Sequence, residues 1–147
     1  MSDLITRLEA LTGPCRECDA LIELAVGDNG SAIQKLIDGS PHNTIDEIAK
    51  AADRESSSLW FRIPAYTASI DAAMTLLPEG WWLAGLCFNH VVFRSAHDSA
   101  WGAEFGGPVK WVTYDGYPEP EFPIANGQAA TPAIALCIAA LKAKDQP

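Results

Sequence analysis

The sequence predicts one α+β domain in which a small antiparallel sheet of three or four strands packs between α-helices. A length of 147 residues fits one domain with a sizeable buried core. Apolar residues recur at helical spacing through residues 1–55, whereas all 13 aromatic residues lie from Trp60 to Phe122, among strand-like segments. We therefore expect a helical N-terminal part over 1–55 and, after a polar hinge, a sheet-bearing part over 60–147 that ends in a helix.

Four helices are predicted in the N-terminal part, each from a start signal followed by an apolar stripe. The first starts at Ser2, and the second covers 14–26, with a proline at its first position and a glycine after its end. The third has Ser31 as its N-cap. In the fourth, Thr44 and Glu47 match a capping box, in which each side chain accepts from the other residue's backbone amide.

Cys15 and Cys18 stand three residues apart at the start of the second helix, a spacing shared by redox dithiols and half zinc sites. Both fall on the apolar stripe of that helix, so the favoured interpretation is that they are small buried hydrophobic residues. A zinc site needs two more ligands, which would come from a scattered set: Cys87, Cys137, His42, His90 and His97. Redox activity is the third interpretation, because a helix N-terminus favours a thiolate.

The sheet-bearing part starts with a helix over 69–77, capped by Thr67 or Ser69, and continues with strands drawn from residues 80–114. The strand-like segments are WWLAGLCFNHVVF, SAWGAEF and VKWVTY, and Gly106-Gly107-Pro108 predicts a tight turn between the last two. The next segment, DGYPEPEFPIANGQ, contains three prolines and cannot pair as a central strand. We predict that it is an extended surface loop.

The last helix is predicted over 132–143, with Thr131 as its N-cap and a proline in its first turn. Its residues are apolar on both faces, with Ile134 and Ile138 on one and Leu136 on the other. Such a helix is either sandwiched in the core or shared with a second chain. Because the helix has more apolar surface than one thin sheet covers, we expect a homodimer or higher homo-oligomer with closed symmetry.

The charge of the chain limits its partners. It has 10 basic and 19 acidic residues, a formal net charge of −9. Residues 1–55 carry 11 acids and 5 bases, a net −6, and residues 56–147 carry 8 and 5, a net −3. This field repels long nucleic acids and anionic lipid, so we expect neither as a direct partner.

The sequence carries no apolar N-terminal signal and no run of 18 apolar residues. We therefore expect a cytoplasmic protein without a membrane partner, whose four cysteines are reduced thiols.

Three segments, TRLEALTGP, YTASIDAAMTLLPEGWW and GQAATPAIALCIAALKA, resemble the framework of the phage ABA sandwich domain, a family of small tailed-phage and prophage proteins. They cover about a third of the chain in the family's order. The resemblance implies a small antiparallel sheet with helices packed on it, and the cytoplasm of a host cell as location. It implies no catalytic residues, because the family has no assigned role.

Two groups of residues offer candidate chemistry. His90, His97 and Asp98, near Arg94, contain groups that bind metals or transfer protons. We interpret them instead as a half-buried strand histidine and turn-forming residues. Glu104, Glu119 and Glu121 would act as paired carboxylates only if the fold brought them together.

Aromatic residues with nearby cations are the part of the chain best able to form a ligand pocket, because rings stack bases and cations hold phosphates. The alternative for the tryptophans is core packing, their usual role in a small sheet protein. The predicted ligand-binding residues are Arg62, Trp81, Trp82, Arg94, Trp101, Lys110, Trp111, Tyr114 and Tyr117. With no catalytic residues, cofactor or metal expected, we predict a non-enzymatic phage protein that sequesters a host defence component, such as a small anionic nucleotide signal. The alternatives are an acidic inhibitor that docks a basic host defence protein through the surface of residues 1–55, a metal-dependent hydrolase, and a virion structural or assembly protein.

Overall fold

The computed structural model of the chain describes residues 1–54, 59–88 and 100–146, which form six helices and five strands in an α+β arrangement, as predicted. In chain order the elements are α1 (Ser2–Glu9), α2 (Arg16–Val26), α3 (Gly30–Gly39), α4 (Ile45–Ala52), α5 (Ile70–Met74), β1 (Trp82–Phe88), β2 (Trp101–Gly106), β3 (Lys110–Tyr114), β4 (Tyr117–Glu121), β5 (Ile124–Ala129) and α6 (Pro132–Lys144). Among these described residues no helix has the length and apolar character needed to cross a bilayer.

Side-chain caps start three of the helices where the sequence predicts them. The hydroxyls of Thr44, Ser69 and Thr131 accept the backbone N–H three residues later, at 3.3, 3.2 and 3.3 Å. The prediction for α3 was wrong, because its N-cap is Asn29 and makes no side-chain cap bond. Helix α5 is also shorter than predicted and ends at Met74.

A three-stranded antiparallel sheet in the order β1-β2-β5 supports the larger core cluster. Helix α6 packs on β5 and β2, and α1 and α5 pack on α6. Ten of the 13 residues of α6 are buried. Its two apolar faces are therefore covered within one chain, which is the first of the two alternatives. The ground for expecting an oligomer is thereby removed, although the oligomeric state itself stays a prediction.

A smaller core cluster joins α2, α3 and α4 with the connection that follows α4, including Phe61 and Ile63. Helix α2 contributes to both clusters, since Cys18 and Ile22 lie in the larger one and Ala20 in the smaller. One shared helix thus links the helical part of the chain to its sheet-bearing part.

The strand pairing corrects two predictions. Gly106-Gly107-Pro108 is not a tight turn, because the chain continues from β2 into β3. The segment DGYPEPEFPIANGQ is not a loop, since it contains β4, which pairs with β3, and β5, which pairs with β2. Residues 101–129 therefore form one long hairpin, whose turn is Asp115-Gly116.

The Asp-Gly turn explains where the chain reverses. Both central residues have positive φ, 49° for Asp115 and 86° for Gly116, as type I′ hairpin turns require. Tyr114 and Tyr117 flank the turn as a cross-strand pair. The turn chemistry of these two residues thus fixes the register of the distal half of the hairpin.

The prolines of β4 fit this register. Pro118 pairs with Thr113 and Pro120 with Trp111. In a hairpin closed by a two-residue turn, the flanking pair is hydrogen-bonded and the pairs then alternate, so both prolines occupy non-hydrogen-bonded positions. Their nitrogens point away from β3, and no ladder bond is lost. The expectation that this segment cannot be a central strand agrees with its place at an edge.

Candidate functional site

The predicted binding residues do not form one pocket among the residues that the structure describes. They separate into the hairpin base, the main core, the distal hairpin and the helical part of the chain. Arg94 lies outside the described residues, as do His90, His97 and Asp98.

Trp81 and Trp82 pack on the two glycines at the end of β2. A Cβ on Gly106 would meet the Trp82 ring at 2.5 Å, and one on Gly107 would meet the Trp81 ring at 2.9 Å. Successive strand residues face opposite sides of a sheet, so the two indoles cover opposite faces of this glycine pair. Trp82 also contacts Phe122 edge-on, with ring centroids 6.2 Å apart. These tryptophans therefore support the base of the distal hairpin.

Trp101 is a packing residue in the sheet. It lies in β2, half-buried against the main core, and its ring is 5.6 Å from that of Phe88. Such placement is the common one for tryptophan in a small sheet protein.

Four predicted residues, Lys110, Trp111, Tyr114 and Tyr117, lie together on the distal half of the hairpin. We call residues 109–122 the β-arm. All five residues of β4 and four of the five in β3 are exposed, so the two strands mainly contact each other. The exposed fraction is 70% for Trp111 and 74% for Tyr117, values that are high for residues of this size.

The register divides the β-arm into two faces. Cross-strand pairs share a face and successive pairs alternate. Trp111 and Thr113 therefore share a face with the two prolines of β4. The opposite face carries Tyr114 and Tyr117, with Val112 and the acidic residues of β4. Each face thus presents large rings to solvent.

Acidic groups dominate the charge of the β-arm. Lys110 lies across from Glu121 in the register, and Glu119 follows on the same face. The Tyr114 hydroxyl donates a hydrogen bond to Glu121, which raises the pKa of that tyrosine. With Asp115 in the turn, the arm carries one base and three acids, a net charge of −2. Lys110 therefore does not create a positive site there.

Arg62 belongs to the helical part of the chain. Its guanidinium donates to the backbone oxygen of Ala52 at 2.9 Å, at the end of α4, and its neighbours Phe61 and Ile63 pack in the smaller core cluster. This places Arg62 with a different set of elements from the predicted aromatic partners.

A buried polar cluster near the start of α2 was missed by the sequence analysis. Arg16 donates to Asp19 at 2.7 Å, to both carboxylate oxygens of Asp53, and to two carbonyls of segment 63–64. The fully buried Asp19 also accepts from the backbone N–H of Thr67 at 2.7 Å. The hydrogen bonds from Arg16 lower the pKa of Asp53. These hydrogen bonds attach segment 63–67 to α2. The carboxylate of Asp19 therefore has a structural role.

Glu23 has a similar role, a single turn further along α2. Its carboxylate is buried and accepts from the backbone and side-chain nitrogens of Asn29, at 2.9 and 2.8 Å, and from the Tyr66 hydroxyl. Burial, followed by the bond to Glu23, raises the pKa of Tyr66, so the phenol remains a donor. These bonds hold the α2–α3 connection and segment 63–67 in place.

The described part of the chain shows no group of side chains suited to bind a metal ion. Within residues 1–54, 59–88 and 100–146 no three histidine, cysteine, aspartate or glutamate side chains are grouped to hold an ion. His42 is exposed in the α3–α4 connection, while Cys18 and Cys137 are buried.

Two signals in the sequence could have located the β-arm. The dipeptide Asp115-Gly116 stands between segments with aromatic and β-branched residues, the strongest short-range signal for a hairpin. Pro118 and Pro120 alternate, which is the spacing of outward positions on an edge strand. Phe122, half exposed at the base of the arm, was not among the predicted site residues.

The fold and the site define an α+β protein that carries an exposed, acidic and aromatic β-arm. Comparison with models of known families, with curated proteins and with solved structures finds no match. The resemblance to the phage ABA sandwich domain therefore stays a prediction.

Proposed function

We propose that this chain is a non-enzymatic binding protein that engages a partner protein through its β-arm. The main observation behind this proposal is that Trp111 and Tyr117, on the same two-stranded arm, are 70% and 74% exposed. Exposed apolar rings mark interaction sites, and tryptophan and tyrosine dominate the binding energy of protein interfaces. Because Trp111 and Tyr117 lie on opposite faces of the arm, a partner that contacts both rings encloses the arm.

The arm is ordered before it binds, which favours affinity. Its turn is fixed by Asp115-Gly116, and its strands by five cross-strand pairs. Binding therefore does not have to order this backbone. For flexible segments, the entropy lost on ordering lowers the affinity. Presentation of rigid aromatic side chains is the property that good binding surfaces share.

The prolines indicate that recognition uses side chains. On the outer edge of β4, the N–H groups that would point outward belong to positions 118 and 120, and both residues are proline. This edge offers no outward donor at either position to an added strand. We therefore expect a partner to contact the aromatic side chains of the arm instead of pairing with β4 as an added strand.

The charge of the arm and of the whole chain favours a partner with a basic surface. The arm has a net charge of −2 and the chain one of −9. Opposite charge around an apolar contact speeds encounter and suppresses wrong partners. Together with the phage resemblance, this supports an inhibitor of a basic host defence protein, with the contact on the β-arm rather than on residues 1–55.

A nucleotide signal is the weaker hypothesis. It needs cations next to the rings, whereas Arg62 is bonded at the end of α4 and Lys110 lies among acids. We therefore place protein binding first.

Affinity capture from lysate of the native cells, with matched variants, tests this proposal. We expect the double variant Trp111→Ser, Tyr117→Ser to bind its partner roughly 30-fold more weakly, a loss of about 2 kcal/mol for hot-spot residues. The control is Trp60→Ser, because Trp60 is 81% exposed and lies outside the arm. Binding of the purified partner is then measured at low and high salt, and high salt should weaken it.

Three outcomes would contradict the proposal. The first is a partner held equally by wild type and the double variant, and the second is one lost only with Trp60→Ser. The third is a nucleotide recovered from the purified chain whose binding needs Arg62. Circular dichroism of each variant shows whether it is folded. We expect the variants to fold, because the side chains of Trp60 and Trp111 are exposed.

A further inference from the structure

Of the two cysteines at the start of α2, Cys18 is fully buried as predicted, whereas Cys15 differs from the prediction because it precedes the helix. Cys15 is the N-cap residue, with an extended backbone (φ −141°, ψ 107°), and its Sγ accepts the backbone N–H of Cys18 at 3.4 Å. It is half-buried, whereas Cys18 is fully buried. The pair therefore consists of a partly exposed cysteine at the helix end, which packs at the margin of the main core, and a fully buried cysteine one turn further on.

The Cys15 sulfur lies against the first turn of α2, 3.4 Å from the backbone nitrogen of Cys18. The burial of Cys18, and then its hydrogen bond to Cys15, raise the pKa of Cys18 to about 12. A thiol in this state keeps its proton and donates it toward the neighbouring sulfur. Cys15 is thus the member of the pair that is available for first attack on a reagent from solvent.

Cys15 lies at the N-terminus of a helix and near a guanidinium. Its sulfur takes the place of an N-cap oxygen at the start of an 11-residue helix, where the backbone N–H groups and the helix dipole favour negative charge. Arg7, which pairs with Glu17 at 2.7 Å, interacts electrostatically with both cysteines. A helix N-terminus and a nearby guanidinium are features of reactive cysteines.

The backbone of Cys15 is also held in place. Its N–H donates to the Thr67 hydroxyl at 2.9 Å, and that hydroxyl donates to the Cys15 carbonyl at 3.3 Å. Side chains three residues apart on a helix lie about 5–6 Å apart at Cβ, and a disulfide needs about 3.5–4.5 Å. Cys15 is not in helical conformation, and its N-cap geometry places the sulfur over the first turn, within hydrogen-bond distance of the Cys18 backbone N–H.

From this geometry we propose that Cys15 and Cys18 form a redox-active dithiol, which small disulfides oxidise to an intramolecular disulfide. The Cys15 thiolate attacks one sulfur of the reagent, so that an S–S bond forms to Cys15 and one thiolate leaves. The released thiolate takes the proton of Cys18, whose sulfur attacks the Cys15 sulfur and releases the second thiolate, which is protonated by solvent. The two cysteines lose two electrons, and the reagent disulfide gains them as two thiols.

The other two cysteines, Cys87 and Cys137, are not part of the proposed dithiol. Cys137 is fully buried in α6, and burial, the largest effect, raises its pKa to about 12. Cys87 is half-buried in β1, and a Cys87→Ser background removes it as a competitor. The proposal is independent of the binding function of the β-arm.

Oxidised glutathione and peptide mapping test the pair directly. The full chain in the Cys87→Ser background is incubated with oxidised glutathione, blocked with an alkylating agent and digested with trypsin. Because trypsin cleaves after Arg16, between the two cysteines, the disulfide would join peptides 8–16 and 17–35. We expect this linked pair as the main product, and its loss on reduction.

Two variants assign the roles. Cys18→Ala should stop after the first step and retain one glutathionyl group on Cys15. Cys15→Ser keeps an N-cap oxygen for the helix and should remain unmodified at Cys18. Alkylation of both cysteines as free thiols after wild-type oxidation would overturn the proposal, as would glutathionylation of Cys18 in Cys15→Ser. If Cys18→Ala does not fold, the peptide map of the Cys87→Ser protein, which keeps both cysteines, still tests the proposal.

Discussion

Leu136→Glu is expected to unfold the chain. Leu136 lies in α6, fully buried among the residues of the main core. Loss of its packing costs about 2–5 kcal/mol, and an unpaired carboxylate in the same place costs several kcal/mol more. Since domains are stable by only about 5–15 kcal/mol, the sum removes most or all of the folding free energy. Far-ultraviolet circular dichroism and urea unfolding measure this.

Leu136→Met is the matched control, because it keeps the volume and apolar character of the site. It should cost less than about 1.5 kcal/mol. Sedimentation of the Glu variant distinguishes this prediction from the oligomer alternative. A folded variant with native circular dichroism and a smaller mass than wild type would place Leu136 in an interface between chains.

Gly127→Ala is expected to destabilise the chain by about 3 kcal/mol or more, at the upper end for overpacked cores. Gly127 lies in β5, directly under α6, and a Cβ there would overlap the carbonyl oxygen of Ala135 and meet the backbone nitrogen of Ala139 at 2.7 Å. These are backbone atoms of the central helix, so relief requires a shift of α6 as a whole. For a chain of this length the midpoint of thermal unfolding should fall by roughly 6–12 °C.

Gly85→Ala is the control for this variant. Gly85 is a strand residue in β1, and a Cβ there meets no atom within 4 Å, so its effect should be about 0.5 kcal/mol or less. Equal stability of the two variants would mean that α6 does not rest on Gly127. Calorimetry or urea titration of both proteins gives the comparison.

The candidate site could be predicted only to a limited extent. Trp111, Tyr114 and Tyr117 were selected as binding residues, and they lie together on the exposed β-arm. Trp81 and Trp101 were selected by the same criterion, although they pack on Gly107 and in the main core. Composition identifies an aromatic residue, but whether its ring is covered depends on neighbours that are distant in the chain.

The two cysteines of α2 illustrate a similar limit. Their spacing and their place near a helix start were evident, and Cys18 is buried as predicted. The N-cap role of Cys15 was not evident, because a proline at the preceding position suggested an earlier helix start. The hydrogen bonds between Cys15 and Thr67 fix that boundary, and they join residues 52 positions apart.

The sequence by itself determined the α+β class, the central apolar helix and the caps at Thr44 and Thr131, and it limited the cap of α5 to Thr67 or Ser69. These features depend on contacts within about one helical turn, or on the apolar pattern of one segment, so the local residues are sufficient to specify them. The tertiary structure decided which strands pair, that β5 rather than β3 completes the sheet, and which aromatic rings remain exposed. Strand pairing and burial join residues far apart in the chain, and their free energy depends on the complete arrangement of the core.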